Sequence, residues 1–265
     1  MEAAFTLIEL LMVISILGLI AALAVPALKN MGKSNITISA SRQLLDDVGR
    51  ARQLAMSQRT TVYMVFVPSN YWESSPGMFN YKWWNSLTPG AQANATNLAD
   101  KQLSGYTFVA AGQVGDQPGQ HQWHYLMPWR SLPDGTFIAE QKFNSGSNQI
   151  ASYNVLGFSY TNRIPFPTET NVPGVTPALP YLPYIAFNYL GQLTYDGRNL
   201  ATHDEFIPLA RGAVLPAINP STKELQLGSP DVSETPPGNS SSSGYNMVRI
   251  DALTGRATLL YQKVQ

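Results

Sequence analysis

The sequence predicts an α+β fold in which one long N-terminal helix packs on an antiparallel β-sheet domain. Three observations point there. Between Glu9 and Lys29 no residue carries a charge, and nearly every side chain is apolar. From Ile36 to Arg59 apolar residues recur every three or four positions. Beyond Thr61, and again beyond Tyr184, short runs rich in β-branched and aromatic residues are separated by Gly, Pro and Asn, the grammar of strands and turns.

The uncharged stretch is long enough to cross a bilayer. At the rise of an α-helix it covers roughly 28 Å, close to the hydrocarbon thickness that a run of about 20 apolar residues spans. Residues 5–29 are therefore expected to form a transmembrane helix. A cleaved secretory signal would have a basic start, a shorter apolar core and a small-residue cut site after it, and the start here holds only Glu2. Glu9 is out of place in such a span. An acid in a membrane costs about 2.5–3.5 kcal/mol near the helix centre and less near its end, so its presence argues for a partner. Pro26 removes one helical hydrogen bond and is expected to bend or loosen the helix.

Residues 30–59 continue as an amphipathic helix. Leu44, Leu45, Val48, Ala51, Leu54 and Ala55 form its apolar stripe, with Arg42, Asp46, Asp47, Arg50 and Arg52 taking much of the opposite face. The domain follows at 60–265. Thr61–Val67 reads as its first strand. An aromatic-rich insertion of weak periodicity occupies about 69–183, with a strand near Tyr106–Ala110, a turn at Pro133-Asp134-Gly135 between Trp123–Trp129 and Thr136–Phe143, and a bent strand or strand pair over Ile150–Tyr160. The repeated prolines of Ile164–Pro183 predict an extended loop. Tyr184–Tyr189 and Glu205–Leu209 read as strands, Pro208 favouring an edge or a bulge. Gly228–Gly244 reads as a mobile Ser/Pro/Gly loop, and Tyr245–Ala252 with Arg256–Val264 as a closing hairpin, Asn246, Val248, Ile250 and Ala252 sharing one face.

Phe5-Thr6-Leu7-Ile8-Glu9-Leu10-Leu11-Met12-Val13-Ile14 resembles the processing and assembly signal of type IV pilins and type II secretion pseudopilins. The resemblance implies a leader of residues 1–4, removed or truncated, a prepilin peptidase cut between Ala4 and Phe5, and methylation of the new Phe5 amine. It implies that Glu9 is the assembly acid that meets the terminal amine of a neighbouring subunit. Gly18 and Pro26 match positions where the family's helix loosens within a filament. Two departures stand out: Ala4 precedes the cut where Gly is usual, and Met1–Ala4 lacks the usual Lys or Arg. Leu44–Ala55 with its Ala51-Arg52 pair, Ile185-Ala186-Phe187 with Gly191, and Val248-Arg249-Ile250 through Thr254-Gly255-Arg256 are similar to the minor pseudopilin H type and its FimT relatives. The expected partners are other pilin-like subunits, the prepilin peptidase, and the bacterial inner membrane with its assembly platform. The expected location is a single-pass inner-membrane state with the domain in the periplasm, then a periplasmic pseudopilus or an extracellular filament.

Composition narrows the remaining classes. Lys and Arg equal Asp and Glu at 17 each, so the overall charge does not point to nucleic acid. There is no cysteine, which removes disulfides and thiolate metal sites. His121 and His124 flank Trp123 in a stretch read as strand or loop, so packing is the better reading than zinc. Asp196-Gly197-Arg198-Asn199 lacks the spacing of a calcium loop and reads as a turn. Ser240–Ser243 has no His and acid beside it. Arg249, Arg256 and Lys263 would give phosphate only a weak contact. No cofactor and no catalytic constellation is implied. The expectation is a non-enzymatic filament subunit. Its alternatives are a major adhesive or surface filament subunit, or a membrane-anchored module binding DNA or glycans.

Overall fold

In a computed structural model the chain is α+β with antiparallel sheets. The structure describes residues 7–72, 84–85, 87–116, 122–150, 152–168, 180–241 and 246–261; for 21–35 and 261 it describes the backbone alone. One helix, α1 (Leu7–Gln58), opens the fold. It runs through Pro26 without leaving its helical span.

The first sheet is built around β1 (Val62–Phe66). On one side β1 pairs with β2 (Gly105–Ala111), and on the other with β8 (Tyr184–Phe187), which pairs in turn with β9 (Leu193–Thr194). The outer edge of β2 carries β3 (Trp123–Tyr125) and β4 (Arg130–Ser131). The second sheet centres on β10 (Glu205–Leu215) and β12 (Asn246–Ile250). β5 (Thr136–Ile138) lies on one flank of β10 and β11 (Asp231–Glu234) on the opposite one, and β13 (Ala257–Tyr261) closes the far edge beyond β12. β6 (Ser147–Ile150) and β7 (Tyr153–Leu156) form a separate hairpin. A short helix, α2 (Pro89–Thr96), starts at Thr88, whose side chain accepts the Ala91 amide. Proline at its first position loses nothing there, since that amide has no helical partner.

α1 touches β1 and β8 of the first sheet and β5, β10, β12 and β13 of the second. Its apolar stripe, Ala40, Leu44, Val48, Ala51 and Ala55, is fully buried. These side chains meet Met64, Phe66, Phe108 and Phe187 from one sheet and Ile207, Val248 and Ile250 from the other in one core. A second core lies on the far face of the first sheet, where Tyr63, Val65, Val109 and Tyr184 pack with Tyr71, Leu98, Ile164 and Phe166. The first sheet is thus buried on both faces, which is why β1 reads as an unbroken apolar run rather than an alternation. A third, small cluster of Ile150, Val155 and Met247 covers the outer face of the second sheet.

Several expectations are corrected. Asp47 does not join the polar face of α1: it is 4% exposed and turned to the sheet. Its carboxylate accepts from Tyr106 Oη at 2.5 Å and from Arg130 at 3.1 Å. Gln43 beside it donates to Tyr106 Oη and to the Ser131 carbonyl, each at 2.8 Å. The stretch 69–183 supplies β2 to β7 and is woven into both sheets. The turn at Pro133-Asp134-Gly135 does not join two paired strands, because β4 stays with β2 while β5 crosses to β10. Pro208 is at neither an edge nor a bulge but inside β10, between β12 and the Ala139 amide, which donates to its carbonyl at 3.0 Å. The missing N–H falls just where the β5 ladder ends, so no bond is lost. Within Gly228–Gly244 the expected loop contains β11, held by four antiparallel residue pairs to β10. The expected loop Ile164–Pro183 is partly outside the described residues, at 169–179; Arg163 and Tyr181 form a bridge across its base.

At the end of α1, Arg52 Nε donates to the Gly191 carbonyl at 3.2 Å and to the Thr254 carbonyl at 2.7 Å. One contact reaches the turn after β8, the other the turn between β12 and β13. These turns are in van der Waals contact: a Cβ on Gly255, whose φ is +63°, would lie 2.0 Å from the Gly191 carbonyl oxygen. Only glycine fits both that dihedral angle and that approach.

Candidate functional site

α1 divides into two parts of different character. From Ile36 onward buried positions recur at three- and four-residue steps, as a helix lying on a sheet requires. From Leu7 to Ile20 every described side chain is exposed, on all sides of the helix. Leu7 is 82% exposed, Ile8 72%, and Leu19, on a different side, 66%. A helix apolar all round has no solvent-facing side and has to be buried in something. Surface of this extent marks a site of association with lipid or protein.

Among the described residues no helix is long and apolar enough to cross a membrane. The described side chains of the apolar run stop at Ile20, and those of 21–35, which complete it in the sequence, lie outside the described residues.

Of the residues singled out in the sequence, Ala4 and Phe5 lie outside the described residues. Glu9 is in the first turn of α1 and exposed. An acid suits this end of a helix, where the backbone amides concentrate positive charge. Gly18 has nothing within 4 Å of where a Cβ would stand, so it forms a smooth spot on the stem open to close approach. Pro26 is helical in its backbone, and its side chain is not described. Ser15 donates to the Leu11 carbonyl at 2.8 Å, so its hydroxyl is satisfied within the helix. Sequence reasoning missed how the stem is joined to the domain. That joint is Asp47 with Tyr106 and Arg130, and Arg52 with the two turns. The Ala51-Arg52 pair was the visible signal for the second; nothing local signals the first.

The other titratable clusters have structural partners. His124 Nε2 lies 3.1 Å from Asp116 Oδ2, and His121 is outside the described residues. Asp196 folds its own turn, accepting from the Arg198 and Asn199 amides at 2.9 and 2.7 Å. These amides hold its carboxyl below the usual range. Asp204 pairs with Arg249 at 2.6 Å, and Ser240 hydrogen-bonds Glu234. Glu205 pairs with the buried Lys142. Lys263 is outside the described residues. Among the described residues no three His, Asp or Glu side chains gather as a metal site would need.

Comparison with protein-family models, with curated proteins and with solved structures gave no significant match.

Proposed function

We propose that the chain is a non-enzymatic, pilin-like subunit of a type II secretion pseudopilus or a type IV pilus, which enters its filament through the N-terminal helix. The observation that carries the reading is the stem Leu7–Ile20, exposed and apolar on every side, in one continuous helix with a segment that is fixed to the domain. A bundle of such stems would bury what a single subunit cannot. The pilin-like signal Phe5–Ile14 supports the same reading from the sequence.

In this reading the subunit first sits as a single-pass protein in the bacterial inner membrane, with its domain in the periplasm. The prepilin peptidase cuts between Ala4 and Phe5, and the Phe5 amine is methylated. As the assembly platform moves the subunit into the filament, Glu9 meets the amine of a neighbouring subunit. In a low-dielectric core that pairing removes the cost of an isolated acid and fixes the axial offset between neighbours. Gly18 and Pro26 let the helix loosen as the stems pack.

Mass spectrometry of the mature amino terminus tests the reading. The expected result is a chain beginning at N-methylated Phe5; an intact Met1, or a cut after Leu28, would overturn it. The Glu9→Ala variant is expected to accumulate in the membrane fraction while its signal in sheared filaments falls at least about tenfold, the effect of about 1.4 kcal/mol in an assembly equilibrium. Incorporation at the wild-type level would remove Glu9 from the mechanism.

A further inference from the structure

The face of the first sheet turned away from α1 carries a cleft of about 530 Å³. Its described walls come from five separate segments: Thr61 and Tyr63 at the start of β1, Ala111 at the end of β2, Trp123 in β3, Asn162 after β7, and the turn Asp196–Arg198 after β9. We infer that this cleft binds a saccharide, taking a single hexopyranose ring against Trp123.

The first support is that the walls are set in advance. Tyr63 and Trp123 meet edge to face, with ring centroids 5.4 Å apart. Asn162 Nδ2 donates to Tyr63 Oη at 3.1 Å and to the Asp196 carbonyl at 3.2 Å, and Tyr63 Oη donates to that same carbonyl at 3.1 Å. The turn is locked by the Asp196 carboxylate and by the Gly197 amide, which donates to Thr194 Oγ1 at 2.9 Å. Gly197 is at φ +87°, and a Cβ there would stand 2.8 Å from Tyr63 Oη. A site held this firmly loses little entropy when it is filled.

The second support is what the walls leave over. Among the described residues, Trp123 Nε1, Thr61 Oγ1, Asn162 Oδ1 and the Arg198 guanidinium have no protein hydrogen-bond partner. They comprise a donor, a group that donates and accepts, an acceptor and a charged donor. Sugar hydroxyls donate and accept at once, so they can satisfy such a mixed set, while the C–H face of a pyranose lies against an indole. An apolar ligand would strand all four groups. A nucleic acid would need several cations for its phosphates, whereas among the described residues the cleft has Arg198 alone, two residues from Asp196. The volume leaves ample room for a sugar ring.

The test is saturation-transfer difference NMR on the full chain in a phosphocholine detergent, free of sugar head groups. The probes are methyl glucoside, N-acetylglucosamine and glucuronic acid, with a short oligothymidine as the competing class. At least one sugar is expected to bind with a ~millimolar dissociation constant. Trp123→Ala and Arg198→Ala should each weaken it about tenfold or more. Arg198 is exposed and holds no other element, so its variant reads the site even if Trp123→Ala disturbs packing. No binding of any of the three sugars, binding unchanged in both variants, or oligothymidine binding that displaces the sugar would overturn the inference. The result is independent of filament assembly, which is read from different residues and a different assay.

Discussion

Lys142→Met is expected to destabilise the domain by about 3–5 kcal/mol, the range for removing one partner of a buried ion pair. The Lys142 side chain is fully buried. Its ammonium donates to the Leu156 carbonyl at 2.6 Å and to Glu205, and lies 4.7 Å from the centre of the Phe158 ring. Methionine would fill the volume but leave the Glu205 carboxylate, itself 14% exposed, without its counter-charge. The loss should therefore be conditional. Lys142→Met with Glu205→Leu removes both charges and should recover most of the stability, as apolar replacements of buried pairs often do. Urea denaturation of the three proteins decides it; a single variant within about 1 kcal/mol of wild type would show that water reaches the pair.

The same pair gives a pH signature. Burial pushes the Lys142 ammonium below its ordinary 10.5, with Glu205 opposing that shift. Between the lowered value and 10.5 the unfolded chain binds more protons than the folded one. Wild-type stability should therefore rise with pH through that window, and the double variant should lack this component. The comparison belongs below pH 10. Above it Tyr63, Tyr71, Tyr106 and Tyr160, all raised above their ordinary 10.0 chiefly by burial, ionise in the unfolded chain first and pull stability down.

Phe66→Ala should cost a comparable amount, about 3–5 kcal/mol. Phe66 is the last residue of β1 and is fully buried in the main core. Its ring stacks on Phe158 at 4.4 Å and 18°, and tilts toward Tyr106 at 6.2 Å. Both neighbours are fixed elsewhere, Tyr106 by Asp47 and Gln43, and Phe158 by its backbone bond to Lys142. The pocket left by alanine therefore cannot collapse, which is the condition that puts large-to-small substitutions at the upper end of their range. The expected readout is a lower urea midpoint with an unchanged slope. A loss below about 1 kcal/mol would mean that the neighbours close in after all.

Elements whose burial follows a simple period were legible in the sequence. The second half of α1 shows its stripe because one face meets the sheets, and β1, β8 and the closing hairpin show theirs through β-branched and aromatic content. Asp47 was misplaced because a period read from apolar letters sends every charge outward, and its partners Tyr106 and Arg130 are far along the chain. The stretch 69–183 looked irregular for two physical reasons. The first sheet is buried on both faces, so β2 does not alternate. The remaining strands there are two to four residues long, too short to show any period. β11, with the sequence Asp-Val-Ser-Glu, hid in a polar segment because among the described residues it pairs with β10 alone and needs little apolar surface. The candidate sites divide the same way. The stem is a single contiguous segment and could be read directly. The cleft draws its residues from five segments, so no local pattern announces it.

The joint between α1 and the domain has a mechanical consequence. The helix is not tethered at its end; it lies along strands of both sheets, with Asp47 and Arg52 fastened at two separate levels. A pull on the stem acts along the helix axis, roughly across the direction in which these contacts separate. Tension is then shared among them in parallel, as in a lap joint, instead of peeling one after another. The domain should yield to such a load only when the helix slides free of both sheets at once.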